Sequence, residues 1–179
     1  MRQPNWALYI EIGRGDMRIA LAVAASSLFI AVFCSSVVAE QLPKSGSISV
    51  HSGYWAVGEA VNVADKTVQG HGNNRGITFN DKGSGPLHLG PTDCFYTFAT
   101  IADHTKVKGY CTFGDTDGDR IFTDFKGAFQ PSGYVEGTHE VDGGTGKYAG
   151  IQGTMMFKCK YSGPNGELEC IQRLDYRLP

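Results

Sequence analysis

The chain has 179 residues, 16 Lys and Arg against 18 Asp and Glu, and a formal net charge of −2 at pH 7. It carries no basic run or stripe, which argues against nucleic acid or an anionic membrane surface as partner. Twenty-four glycines, seven prolines and no sustained 3.6-residue apolar period point to β-structure rather than helices.

The N-terminus reads as a targeting segment. "MRIALAVAASSLFIAVF" (17–33) is a short basic start followed by an apolar, small-residue run, and "SSVVA" (35–39) follows with small residues before Glu40. This pattern predicts a secretory signal cleaved after Ala39, with Met17 as an alternative start. Ser26 and Ser27 interrupt the run, which favours removal over a stable membrane anchor, and bulky Phe33 before Cys34 argues against a lipid-modified cysteine. The 179 residues less 39 leave 140, enough for one domain with a substantial core. Three basic and two acidic residues leave with the signal, so the net charge moves from −2 to −3. Export delivers the protein to a secreted or periplasmic location. Residues 40–45 read as a short leader, and a single domain is expected over 46–179.

Short runs rich in aromatic and β-branched residues, separated by Gly, Asn and Asp, predict strands near 46–60, 66–79, 93–101, 106–114, 120–129, 133–141, 153–161 and 167–177. Eight strands at hairpin spacing suggest a single closed antiparallel β-barrel of meander type. In the first strand, Tyr54 and Trp55 lie on opposite faces, so one faces a core or pocket and the other faces out. Trp55, Val57, Glu59 and Val61 share a face, which would bring the Glu59 carboxylate among apolar groups or set it at an open strand end. In the second, "GHGNNRG" (70–76) lacks the helix a phosphate loop must open, so Asn73, Asn74 and Arg75 are either turn residues or partners for a polar ligand head. Cys94 and Cys111 flank the "ADHTK" turn (102–106) with apolar residues on their faces, so Cys94–Cys111 is one expected disulfide. Tyr96, Phe98 and Tyr110 on these two strands, with Trp55, are candidate walls of a ligand site.

"GDTDGDRIF" (114–122) resembles the start of a calcium loop. Asp115, Asp117 and Asp119 fill its first three ligand positions, but Arg120 stands where that loop wants glycine and Lys126 where it wants glutamate. A hairpin tip is the favoured reading. No metal is expected, and these three aspartates are the candidates for an exposed cation site. The histidines at 51, 71, 88, 104 and 139 show no metal-ligand spacing. His139 alternates with Val135, Gly137 and Val141, so it faces the packed side of its strand, as a satisfied core or rim histidine or as a catalytic one.

"VDGGTGKYAGIQGTMMF" (141–157) combines Gly143, Gly144 and Gly146 with an aromatic, Tyr148, and then Gly150 and Gly153 ahead of a strand. This segment resembles the corresponding stretch of plant dirigent proteins and allene oxide cyclases. The resemblance implies an allene-oxide-cyclase-like eight-stranded barrel, and the backbone freedom of Gly143, Gly144 and Gly146 lets Tyr148 fold back to plug one end of it. It also implies a hydrophobic compound bound in the barrel, or cyclisation or coupling steered without a metal. Members of such families assemble as trimers or hexamers, so a homo-oligomer is an expectation of the same kind.

Beyond it, "GPNG" (163–166) reads as a tight turn that places Cys159 opposite Cys170, and face parity agrees, so Cys159–Cys170 is the second expected disulfide. Four mature cysteines without any C-x-x-C fit two bridges in an exported chain and leave no thiol for zinc, redox or nucleophilic chemistry. No G-x-S-x-G motif appears, and no cofactor is expected.

Two function classes remain. The barrel holds a small hydrophobic or aromatic compound, or it acts as a cofactor-free cyclase or isomerase with Glu59, His139 or a tyrosine as acid or base. An apolar interior favours the first, and a buried ionisable group with a polar partner at the pocket floor favours the second. A filled barrel would leave a structural or assembly role.

Overall fold

A computed structural model describes residues 42–179, and the expected signal at 17–39 lies outside the described residues. Eight antiparallel strands form a closed barrel in sequential order. They are β1 (Ser45–Ala64), β2 (Thr67–Asn80), β3 (Gly90–Ile101), β4 (His104–Gly114), β5 (Arg120–Phe129), β6 (Val135–Gly144), β7 (Gln152–Tyr161) and β8 (Glu167–Arg177). The first and last strands close the sheet, in register from Ser45 opposite Arg177 to Trp55 opposite Glu167. β8 stops pairing there, while β1 continues against β2 to Ala64, so this hairpin projects beyond the closed part of the barrel.

The strand edges depart from the sequence expectation by a few residues. β1 runs to Ala64 because "VNVA" still alternates and pairs with β2 until the two-residue turn at Asp65–Lys66. β3 begins at Gly90 because Thr92 and Pro91 already pair with β2.

Both bridges join residues directly opposite one another. Cys94 faces Cys111 across the β3–β4 hairpin and Cys159 faces Cys170 across β7–β8. The register of each hairpin therefore places the sulfurs, and each bridge locks that register in turn.

One end of the barrel is plugged. Leu87 from the β2–β3 loop, Tyr148 from a single 3-10 turn (Gly146–Tyr148) and Ile151 are buried with Phe113, Ile121, Met155 and Leu174. Burying each large side chain contributes about 1.5–3 kcal/mol. Gly146 makes the turn with φ of +52°, a left-handed conformation that favours glycine, and a β-carbon there would push the Asp119 carboxylate aside.

Candidate functional site

Strand alternation aims one residue in two into the barrel. Above the plugged end, the inward residues form a polar layer and then an open cavity. On the β8–β1–β2–β3 side, the Ser52 hydroxyl donates to Gln172 Oε1 at 2.8 Å, and 2.8 Å bonds join Ser52 to Thr78 and Thr78 to Thr92. Each hydroxyl has one hydrogen to give. Ser52 spends its own on Gln172, so the chain runs in one direction, Thr92 to Thr78 to Ser52 to Gln172.

On the opposite wall, His139 is 3% exposed and its Nδ1 lies 2.9 Å from Thr123 Oγ1. The ring is wedged among Phe113, Phe125 and Phe157 at centroid distances of 5.1–5.4 Å. Burial in this aromatic box pulls its pKa down to about 3, so the imidazole is neutral at pH 7.

Above this layer lies a cavity of about 260 Å³. Its floor includes Tyr54, Gln172 and His139, and its walls include Tyr96, Phe98, Phe125 and Phe157 together with both disulfides. The rim residues Phe129 and Tyr161 stay 42% and 43% exposed, so the cavity opens at the end opposite the plug. Glycines on neighbouring strands give the rings room. A β-carbon at Gly72 would overlap the Tyr96 ring and backbone, and one at Gly137 would meet Phe157 and backbone. Burial, then the neighbouring Tyr161, push the Tyr96 pKa up to about 12, so its phenol also stays neutral.

Among the described residues, two polar atoms of residues that line this cavity, the Tyr54 hydroxyl and Asn74 Oδ1, are enclosed and have no hydrogen-bond partner in strict geometry. Burial raises the Tyr54 pKa, while Ser52, Gln172, Thr78 and Thr92 lie close enough to offset part of that rise. The phenol therefore lies against the polar layer, where the oxygens of the chain keep lone pairs that can accept its hydrogen.

The structure separates the sequence candidates. Tyr96, Phe98 and His139 line the cavity. Trp55 and Tyr110 do not; they are 51% and 66% exposed on the outer face, and parity gives the inward place to Tyr54. Glu59 does share the Trp55 face, but that face is solvent-exposed on the projecting hairpin, which removes it from the cavity. Of the "NNR" triplet, Asn74 lines the cavity and Arg75 pairs outside with Asp93 at 3.0 Å.

Asp115, Asp117 and Asp119 occupy the β4–β5 hairpin tip and hold the plug. Asp115 accepts from Tyr148 Oη at 2.6 Å, from the Leu87 amide at 3.1 Å and from the Thr116 amide at 2.9 Å. Lys147 Nζ reaches Asp115 at 2.9 Å and Asp117 at 2.6 Å, and Asp119 accepts from the Lys147 amide at 2.9 Å. Burial lowers the Lys147 pKa, but the two carboxylates outweigh it and leave the ammonium raised. The Lys147 ammonium lowers the Asp117 pKa. Burial and the Asp115 charge keep the Tyr148 phenol protonated. Among the described residues no three His, Cys, Asp or Glu converge to hold a metal ion.

The sequence left Tyr54 and Trp55 as alternatives for the inward place and gave no sign of Phe125, Phe157, Gln172 and the Ser–Thr chain as a set. Face parity within each strand was visible. Which face turned inward, and which rungs stacked across the barrel, was not.

Among the described residues no helix is long and apolar enough to cross a membrane. No family model matches the chain. No curated protein matches it at a significant level. Among solved structures, a pterocarpan synthase dirigent protein aligns over 86% of this chain and 100% of its own length, with 11% sequence identity and a TM-score of 0.45.

Proposed function

We propose that this barrel binds a small hydrophobic or aromatic compound in its cavity. The observation that carries the reading is the open cavity of about 260 Å³ walled by Tyr96, Phe98, Phe125 and Phe157 over a plugged, fully packed end. Titrating the ¹⁵N-labelled protein with naphthalene tests it. Amide shifts are expected at inward positions of β3, β5 and β7. Shifts confined to the outer face around Trp55 and Tyr110 would refute it.

A cofactor-free isomerase or cyclase is the second reading, favoured by one observation: His139 is an ionisable group at the cavity, held by Thr123. A general base works best with a pKa near the operating pH. An imidazole held near pH 3 is a weak base, and Glu59 is outside the cavity. Binding is therefore the better-supported role.

We also place the protein in an oxidising compartment outside the cytosol. Two disulfides support that location, as does the apolar run at 17–33.

A further inference from the structure

We propose that two copies of this chain pair face to face through the outer wall of β3–β6, about a two-fold axis that sets the lysine pair of each copy on the carboxylate pair of the other.

The outward residues of these strands fall in rungs. One rung reads Phe95, Tyr110, Asp124 and Glu140, and the next reads Thr97, Lys108, Lys126 and Thr138. Lys108 therefore stands directly opposite Lys126, and Asp124 directly opposite Glu140. Like charges in directly opposed positions destabilise a sheet. All four side chains are exposed, and among the described residues none of them forms an ion pair. Burial, then the Asp124 charge, raise the pKa of neighbouring Asp142, a sign of the same crowding. Beside these charges the wall is aromatic, with Phe95 and Tyr110 61% and 66% exposed. Exposed rings next to unpaired charges suit a protein contact.

The occupant follows from the charge pattern. A partner of one sign would answer one pair and repel the other. A second copy carries both pairs, and a two-fold turn brings opposite charges together at two places at once. Strands lie about 4.8 Å apart, and alternate residues about 6.8 Å apart along a strand. On that grid Tyr110 falls on the line about which the two pairs exchange, with Phe95 beside it. Each Tyr110 ring therefore meets its own copy on the axis, next to the ion pairs. Two convex walls touch over a small area, which places the contact at the weak end of specific interfaces.

Sedimentation velocity at pH 7, on the full chain with both bridges intact, tests the pairing. In about 20 mM salt the protein should dimerise with a dissociation constant of about 10–100 µM, and about 500 mM salt should weaken it at least about 10-fold. Lys108→Gln/Lys126→Gln should weaken the dimer at least about 10-fold. At about 1 µM, where the parent is monomeric, that variant should unfold at the same or a higher urea concentration, because the like-charge pair has gone. Tyr110→Ser should weaken the dimer about 5-fold or more. Lys108→Glu/Lys126→Glu and Asp124→Lys/Glu140→Lys should each be monomeric alone, and their equal mixture should form a heterodimer about as tight as the parent dimer. A parent that stays monomeric at about 500 µM in low salt overturns the inference. So does a trimer or larger assembly, or a dimer indifferent to salt or to Lys108→Gln/Lys126→Gln. Charge-reversed variants that are folded by circular dichroism and ignore each other overturn it as well. Should either fail to fold, the glutamine variant and the salt series decide.

Discussion

His139 shows how far a single residue's chemistry depends on its surroundings. Its unfolded pKa is near 6.5 and burial pulls the folded value to about 3, so the unfolded chain takes up a proton first as pH falls. Stability from this group is undiminished above pH 6.5 and declines below it, by at most about 1.4 kcal/mol per pH unit. It levels off below about pH 3. Gln at this position stays neutral and can still meet Thr123. Urea unfolding at pH 6.5 and 4.5 should show the parent losing about 2 kcal/mol more than His139→Gln over that interval. Equal losses in the two proteins would place the acid sensitivity elsewhere.

At the scale of an element, the β4–β5 hairpin acts as the clasp of the plugged end. Asp115 is buried and bonded to two other segments, the Leu87 loop and the Lys147–Tyr148 turn, whereas Asp117 is half exposed and shares only the Lys147 ammonium and the local turn. Asp115→Ala strands the Tyr148 hydroxyl, the Leu87 amide and part of the Lys147 charge, and should cost about 3 kcal/mol. Asp117→Ala should cost no more than about 1 kcal/mol. Thermal unfolding of the two variants side by side checks the ranking. The disulfides act on elements as well. They close loops of 17 and 11 residues, so removing either pair by double Cys→Ala substitution should cost about 3 kcal/mol in guanidinium unfolding. Both pairs face the cavity, so loss of either should also weaken naphthalene binding.

At the scale of the whole molecule, the barrel exists only when the last strand meets the first. β8 supplies the second neighbour of both β1 and β7, and it carries Leu174, Cys170 and Gln172 into the plug, the bridge and the polar layer. A chain truncated after Ser162 leaves two long unpaired edges and an opened core. It should show no cooperative thermal transition by circular dichroism. A cooperative melt in that variant would mean that seven strands suffice.

Local periodicities are legible along the chain without any knowledge of its packing. Aromatic and β-branched alternation set the eight strands, hairpin spacing set the neighbours, and turn position set both cysteine pairings before any packing was known. Glycine density at "GGTGKYAG" marked the turn that carries Tyr148 into the plug, because its left-handed backbone favours glycine. Period-two alternation is symmetric, however, and does not say which face turns inward. Trp55 and Tyr54 were equivalent until closure put Tyr54 inside and left Trp55 in solvent. The same holds for Glu59, which shares an apolar face that proved to be the outer one. The Ser52–Thr78–Thr92–Gln172 chain joins four strands, and its members become neighbours only when the sheet coils and closes. Closure of the barrel settled the cavity, because a cavity is space bounded by non-local residues and no stretch of sequence encloses it.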